Sequence, residues 1–325
     1  MDSQLPLKVL GEAHGKSWSA YNADCADLTS QFPENSIDLS IYSPPFANLY
    51  IYSDSACDMG NCKDDAEFLQ QYAYLVKEIH RMTRPGRVSC VHCKNLVNYK
   101  GRDGMAGLRD FRGEIIRLHQ DAGFAYHSEV VIWKDPVIEM QRTKAHGLLW
   151  KQLRADSTFS RMGMPEYILV FRKWADNEDE QAEVRQVTHS KDEFPVAQWQ
   201  QWASPVWMDI NQTNVLNKEA ARDAKDEKHI CPLQLDVIDR CVNLWSNPGE
   251  VVLSPFMGIG SEGYQSLKFR RKFIGMELSK KYFDQAVAFL TRAEAEQETL
   301  FDVNNLQDTA TPHLDPAPAH ATLSE

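Results

Sequence analysis

The sequence predicts a doubly wound α/β fold built on a mostly parallel sheet. Three observations carry that prediction. Strand-like runs alternate with segments of helical period, "SIDLSIYS" at 36–43 reads as a buried strand of the parallel kind, and a glycine loop joins a late strand to a helix.

Taken in order, "WSAYNAD" and "SIDLSIYS" are the first two strands. "DDAEFLQQYAYLVKEIHRMTRPG" is a helix, because Phe68, Leu69, Tyr72, Leu75, Val76, Ile79 and Met82 share one face; Asp64 or Asp65 caps it and Pro85-Gly86 stops it. "RVSCVHC" is a third strand, "FRGEIIRLHQDAGF" a helix, "AYHSEVVIWK" a fourth strand and "EYILVFRKW" a fifth. In "CPLQLDVIDRCVNLWSNPG", Pro232 suits a first helical turn, Leu235, Ile238, Cys241, Val242 and Trp245 form a stripe, and Asn247-Pro248-Gly249 ends the helix. "EVVLSPFMGIGSEGYQSLKF" is strand, glycine loop and helix, "KFIGMEL" a strand, and "KKYFDQAVAFLTRAEAEQ" the last helix.

The composition suits a globular enzyme: 325 residues, 43% hydrophobic and 25% charged. Apolar runs fall short of the ~20 residues that cross a bilayer, and the N-terminus lacks the basic and apolar regions of a signal peptide, which predicts a cytoplasmic protein. Seven scattered cysteines do not suggest a disulfide framework. Cys57, Cys62, Cys90, His92 and Cys93 include a Cys-x-x-Cys spacing, but strand alternation sends Cys90 and His92 to one face and Cys93 to the other, so no metal site is predicted.

The net charge of −11 is unevenly spread. Residues 75–120 hold ten Lys and Arg against four acids, and residues 134–173 eight against four; the segment from Glu294 holds seven acids and neither Lys nor Arg. The basic stretches fit either a footprint for phosphates or solvated helix faces.

"LSPFMGIGSEG" sets Gly258, Gly260 and Gly263 between strand and helix. Glycines there allow a tight turn and close approach to a cofactor, and the following helix offers free N–H groups. Glu277 ends the next strand, where an acid can hold the hydroxyls of an adenosine ribose. A purely structural turn is the competing reading, and the absence of Gly-Lys-Ser/Thr excludes a triphosphate loop.

"SPPF" at Ser43, Pro44, Pro45 and Phe46, together with "SPFMGIGS" at 254–261, resembles the catalytic and S-adenosylmethionine motifs of exocyclic-amino DNA methyltransferases. The catalytic motif precedes the cofactor motif, the circularly permuted order of that family's beta class, and "PLQLDVI…SPFMGIGSEGY" is most similar to members carried by bacteriophages and prophages. The resemblance covers roughly residues 20–134, 165–173 and 228–290. It implies a Rossmann-like class I methyltransferase fold, circularly permuted, with a DNA-recognition insertion. It also implies S-adenosyl-L-methionine as cofactor, DNA as partner, a bacterial host cytoplasm, a setting in restriction–modification and, where the relatives pair, a homodimer. The cofactor-binding set it implies is Asn22, Asp24, His229, Cys231, Ser254, Phe256, Gly258, Gly260, Ser261 and Glu277, with Asp24 at the adenine position. Two positions depart from the family: Ser254 stands where Asp is usual and Ser261 where Thr is usual.

The resemblance divides the chain into a catalytic half at 1–134, a basic insertion at 135–165 and a core strand at 166–173. A variable target-recognition region follows at 174–227, then a cofactor-binding half at 228–293 and an acidic, disordered tail at 294–325. Arg142, Lys144, Lys151, Arg154 and Arg161 are the DNA-binding candidates. Trp199, Trp202 and Trp207 serve either core or DNA.

An exocyclic amine is a poor nucleophile because its lone pair is conjugated into the ring. Two acceptors aimed at its N–H groups, the Ser43 hydroxyl and the Pro44 carbonyl, free that pair, and the prolines stiffen the corner. Phe46 is placed to stack on a flipped base. In the family Ser before Pro-Pro goes more often with cytosine N4, and Asp or Asn with adenine N6, so cytosine leads and adenine follows closely. An RNA or protein methyltransferase, which normally carries the glycine loop first, and an inactive DNA-binding relative are the other readings.

Overall fold

The strand at the centre is less apolar than its position demands. A computed structural model describes residues 9–45, 65–143, 146–216 and 232–308. In it residues 37–42 are buried at every position, yet Asp38 and Ser40 are polar. Both have partners inside the protein: the Ser40 and Ser89 hydroxyls bond at 2.7 Å, and Asp38 forms an ion pair with Arg84 at 3.2 Å and accepts from the Val251 N–H.

The described strands are β1 (Gly11–His14), β2 (Trp18–Asn22), β3 (Ile37–Tyr42), β4 (Thr83–Cys93), β5 (Leu96–Asn98), β6 (Gly107–Arg109), β7 (Ala125–Ile132), β8 (Glu166–Arg172), β9 (Val206–Trp207), β10 (Val251–Ser254) and β11 (Lys272–Glu277). Nine form one sheet in the order β1-β2-β11-β10-β3-β4-β8-β7-β9, and β5 pairs with β6 apart from it. Neighbours from β2 to β4 are parallel; β8 runs antiparallel between β4 and β7, and β1 is antiparallel to β2. The sheet is therefore mostly parallel, as predicted.

The helices are α1 (Cys25–Thr29), α2 (Asp65–Met82), α3 (Lys100–Asp103), α4 (Phe111–Asp121), α5 (Pro136–Thr143), α6 (Trp150–Ala155), α7 (Glu178–Glu183), α8 (Val196–Trp202), α9 (Leu235–Trp245), α10 (Ser261–Lys268) and α11 (Lys280–Asp308). One face of the sheet carries α9, α10 and α11 around Leu39, Ile41, Cys90, Val242 and Phe273. The other carries α1, α2 and α4 around Ile37, Tyr42, Phe68, Val91, Cys93 and Phe111. Cys90 and Cys93 thus lie on opposite faces, as alternation requires; Cys57 and Cys62 lie outside the described residues. No helix among the described residues is long and apolar enough to cross a membrane.

Three boundaries differ from expectation. α2 ends at Met82, before Pro85, because Thr83 pairs with Ile37 as the start of β4 and its hydroxyl caps the Ile79 carbonyl at 2.6 Å. α9 begins at Leu235, so Pro232 precedes the helix instead of entering its first turn. The segment from 294 is not a disordered tail at its start: α11 continues to Asp308. The Glu294 carboxylate accepts the Ser17 N–H at 2.8 Å and the Lys16 N–H at 3.2 Å, and Lys16 pairs with Glu298, which ties the helix to the β1–β2 turn. Residues 309–325 lie outside the described residues.

Candidate active site

Parallel strands end together. The carboxyl ends of β2, β11, β10, β3 and β4 share one edge of the sheet, with Glu277 opposite Asn22 and Ser254 opposite Gly275. The corner at 43–45 and the glycine loop at 254–261, more than two hundred residues apart, therefore leave adjacent strands β3 and β10 at that edge, where open α/β sheets bind ligands. The Tyr42 and Phe256 rings meet across it, 6.0 Å apart.

At the corner Pro44 is buried, Ser43 and Pro45 are partly buried, and Phe46 lies outside the described residues. The Ser43 hydroxyl lies 2.9 Å from His92 Nδ1, and His92 Nε2 lies 3.1 Å from Glu166 Oε2. Lys134 Nζ stands 2.5 Å from the same carboxylate oxygen and also donates to Gln212 Oε1. His92, Glu166 and Lys134 are all buried. Burial would raise the Glu166 carboxyl, but the hydrogen bonds from His92 and Lys134 and the Lys134 charge outweigh it and hold the group well below the carboxylate range. Sequence reasoning weighed His92 only as a metal ligand and missed this chain. Its one legible signal was the alternation that set His92 on a definite face of its strand.

The glycines divide by role. Gly258 (φ 52°) and Gly260 (φ 88°) have left-handed backbones. A Cβ on Gly260 would lie 3.1 Å from the Ala286 Cβ, and one on Gly263 2.4 Å from Leu290 Cδ2, so helix packing accounts for both. Only Gly258 of the three faces open space. Ser254 is fully buried, and its Oγ has no hydrogen-bond partner among the described residues. Ser261 is buried in the first turn of α10, and Phe256 packs beside the corner.

Glu277 braces this loop: its carboxylate accepts the Gly258 N–H at 3.0 Å and the Ser279 N–H at 2.7 Å. Asn22 is fully buried, and its amide donates to the Glu277 and Leu278 carbonyls at 2.8 and 2.9 Å. That geometry makes Asn22 a support for the end of β11, while its Oδ1 has no hydrogen-bond partner among the described residues. Asp24 caps α1 by accepting the Ala26 N–H at 2.9 Å. His229 and Cys231 lie outside the described residues.

Much of the basic surplus of 75–120 is spent on ion pairs: Arg81 with Glu78, Arg84 with Asp38, Arg87 with Glu250, Arg109 with Glu114 and Arg112 with Glu129. It is not one free phosphate footprint. In the insertion Lys151 and Arg154 are exposed on α6, which also exposes Trp150, and the exposed Phe159 and Met162 follow it in the chain. Arg161 is partly buried, and its guanidinium donates to the Gly107 carbonyl at 3.2 Å. Lys144 and the side chain of Arg142 lie outside the described residues. The tryptophans split: Trp202 and Trp207 are core, with the Trp207 indole donating to the Trp202 carbonyl at 2.9 Å, whereas Trp199 is exposed.

Comparison with known proteins agrees with this geometry. Residues 37–288 match a family model described as DNA methylase. The Type II methyltransferase M.BglII of Bacillus subtilis is 24% identical over 295 residues, 88% of this chain and 72% of the relative. The Type II methyltransferase M1.MboII of Moraxella bovis is 24% identical over 290 residues, 84% and 96% respectively. The fold is similar to that of the cytosine-N4-specific PvuII DNA methyltransferase, with a TM-score of 0.60 and 16% identity over 87% of this chain and 90% of that one. It is similar also to a protein of Thermus thermophilus, described as a DNA modification methylase and solved with S-adenosyl-L-methionine, with a TM-score of 0.59 and 22% identity over 83% and 91%.

Proposed function

Because the chain belongs to the DNA methylase family, whose model spans most of it, we propose that it moves a methyl group from S-adenosylmethionine to an exocyclic amine of a DNA base, cytosine N4 ahead of adenine N6. The observation that carries the reading is the meeting of the Ser43-Pro44-Pro45 corner and the glycine loop on adjacent strand ends. The choice of base leans on Ser43, since Ser before Pro-Pro goes more often with cytosine; the similar PvuII fold belongs to a cytosine-N4-specific enzyme. Adenine N6 stays the close second.

The residues at the loop fit the cofactor. A buried Ser254 hydroxyl without a partner and the open side of Gly258 offer a polar contact and a close backbone approach. Ser254, Phe256, Gly258 and Ser261 would line the cofactor, Glu277 would meet its ribose, and Asp24 its adenine. Bound there, it supplies an electrophilic methyl group on a sulfonium. The chain's own part is to hold the amine in line and draw its N–H groups toward the Ser43 hydroxyl and the Pro44 carbonyl.

Lys151 and Arg154, beside exposed aromatics, are proposed as the DNA side of the insertion. The order of the motifs supports the beta class; phage carriage, a homodimer and a cytoplasmic site in the bacterial host belong to the same proposal.

Incubation with S-adenosylmethionine and unmodified DNA, followed by digestion to nucleosides and mass analysis, should give N4-methylcytosine. N6-methyladenine would transfer the assignment to the second reading, and no methylated nucleoside would sink both. Ser43→Ala should cut turnover about 100-fold with little change in cofactor affinity.

Gly258→Ala tests the cofactor side. Its methyl enters open space, so the fold should lose only about 1–2 kcal/mol from the left-handed backbone. Calorimetry should show cofactor affinity falling roughly tenfold or more, as a loss of about 1.4 kcal/mol entails. Unchanged affinity would remove Gly258 from the site.

A further inference from the structure

Methyl transfer to an amine leaves a proton to dispose of. The nitrogen gains a methyl group and a positive charge while the bonding pair of the broken carbon–sulfur bond stays on sulfur. Neutrality is restored only when one N–H proton leaves. The corner itself offers a neutral hydroxyl and a proline carbonyl, neither of which holds a proton near neutral pH.

We propose that His92, acting through Ser43, receives that proton. This rests on the methyl-transfer reading and assigns it a residue that the reading does not need for binding. With the ring neutral, as a proton acceptor must be, the hydrogen-bond chain allows one arrangement. The ionised Glu166 carboxylate only accepts, so the His92 Nε2 facing it at 3.1 Å carries the ring hydrogen. Nδ1 is then a bare lone pair, and it sits 2.9 Å from the Ser43 hydroxyl, which must donate to it.

Two consequences follow from that orientation. The Ser43 hydrogen points away from the corner, so the oxygen lone pairs face the amine and Ser43 acts as an acceptor. When an amine proton passes to Ser43 Oγ, the hydroxyl proton moves to Nδ1, and the imidazolium forms beside a carboxylate already in place. After product leaves, the proton passes to solvent by the reverse route.

The ionisable groups around this end of the sheet come from several elements. Glu166 is on β8, Lys134 follows β7, and Lys94, after β4, pairs with Glu139 of α5 at 3.8 Å. Lys134 neutralises Glu166 in the resting protein, and Lys94 and Glu139 offset each other. The new charge therefore meets groups that are already paired among the described residues. His92 is a positioning residue for Ser43 and a proton acceptor through it; it does not touch the base.

The test is His92→Asn in the full chain. Asparagine keeps an acceptor near the Nδ1 position, and so keeps Ser43 oriented, but it cannot take a proton. With DNA and S-adenosylmethionine, kcat should fall about 100-fold or more. The one-proton acid limb of the wild-type pH profile should disappear, while calorimetric cofactor affinity stays as in the wild type and shows that the variant is folded. Nitrogen-15 NMR of the wild-type imidazole should show Nδ1 bare and Nε2 protonated. A variant with wild-type kcat and the same pH limb, or the opposite tautomer, overturns the proton-acceptor role alone. A wild-type protein that methylates no DNA base overturns this role and the methyl-transfer reading together.

Discussion

Glu166→Ala is expected to destabilise the protein by about 3–5 kcal/mol, because it breaks a buried ion pair by removing one member. The Lys134 side chain is 4% exposed and the Glu166 side chain 7%, so water cannot take over their pairing as it does at a surface. The substitution removes the carboxylate that faces Lys134 and leaves the His92 ring N–H without its acceptor. Removing both charges together, as Lys134→Met with Glu166→Leu, should recover most of the loss, since apolar replacement of a buried pair is often neutral. Urea unfolding of the wild type, the single variant and the double variant reads this directly. A single-variant loss below ~1 kcal/mol, the range of exposed pairs, would mean that solvent reaches the cluster.

The same group predicts an acid limb. The folded Glu166 carboxyl lies below its unfolded value, so its stabilising effect is complete above the ordinary carboxylate range. That effect is lost as pH falls toward the folded value. Glu166→Gln should flatten this limb.

Much of the fold was legible because burial left a periodic trace. The face of α2 that its apolar spacing marks is buried from Phe68 to Met82 save for the partly buried Leu69, and α9 buries Ile238, Cys241 and Val242 as its stripe implies. What escaped was short, polar or distant. β9 is two residues long and joins the sheet edge through Trp207, so no period could reveal it. α11 runs past residue 293 on a polar surface, and its acids read as a solvated tail because their partners Lys16 and Ser17 lie some 280 residues earlier. The glycine loop was legible by composition and local context, and the Ser43 corner only through its resemblance to a family motif. The chain behind Ser43 was not, since it joins β4, the inserted β8 and the end of β7, and pairwise placement across a sheet leaves no mark along a strand.

Glu262 carries the second large effect, on the alkaline side. It sits in the first turn of α10, directly after the glycine loop, and is almost wholly buried. Two influences oppose each other there. A helix N-terminus favours a negative charge by about 0.3–1 kcal/mol, up to ~2 in favourable geometry. Burial disfavours that charge by more, and a hydrogen bond with its own backbone offsets it only in part, so the carboxyl is pushed up from 4.5 to about 8. A shift of this size corresponds to roughly 4–5 kcal/mol between the two protonation states. The sign follows from which state holds the proton. Between 4.5 and about 8 the unfolded chain has released it and the folded chain has not, so stability falls as pH rises through that window and levels off above it. Glu262→Gln keeps the shape without the charge, and thermal unfolding from pH 5 to pH 9 should then lose most of this slope. Parallel slopes for wild type and variant would show that the carboxyl finds water or a partner when it ionises. With the expected outcome, the helix that opens behind the glycine loop carries a neutral carboxylic acid in its first turn, and ionising that acid costs stability. Loosening at alkaline pH should then begin at the loop proposed to hold the cofactor.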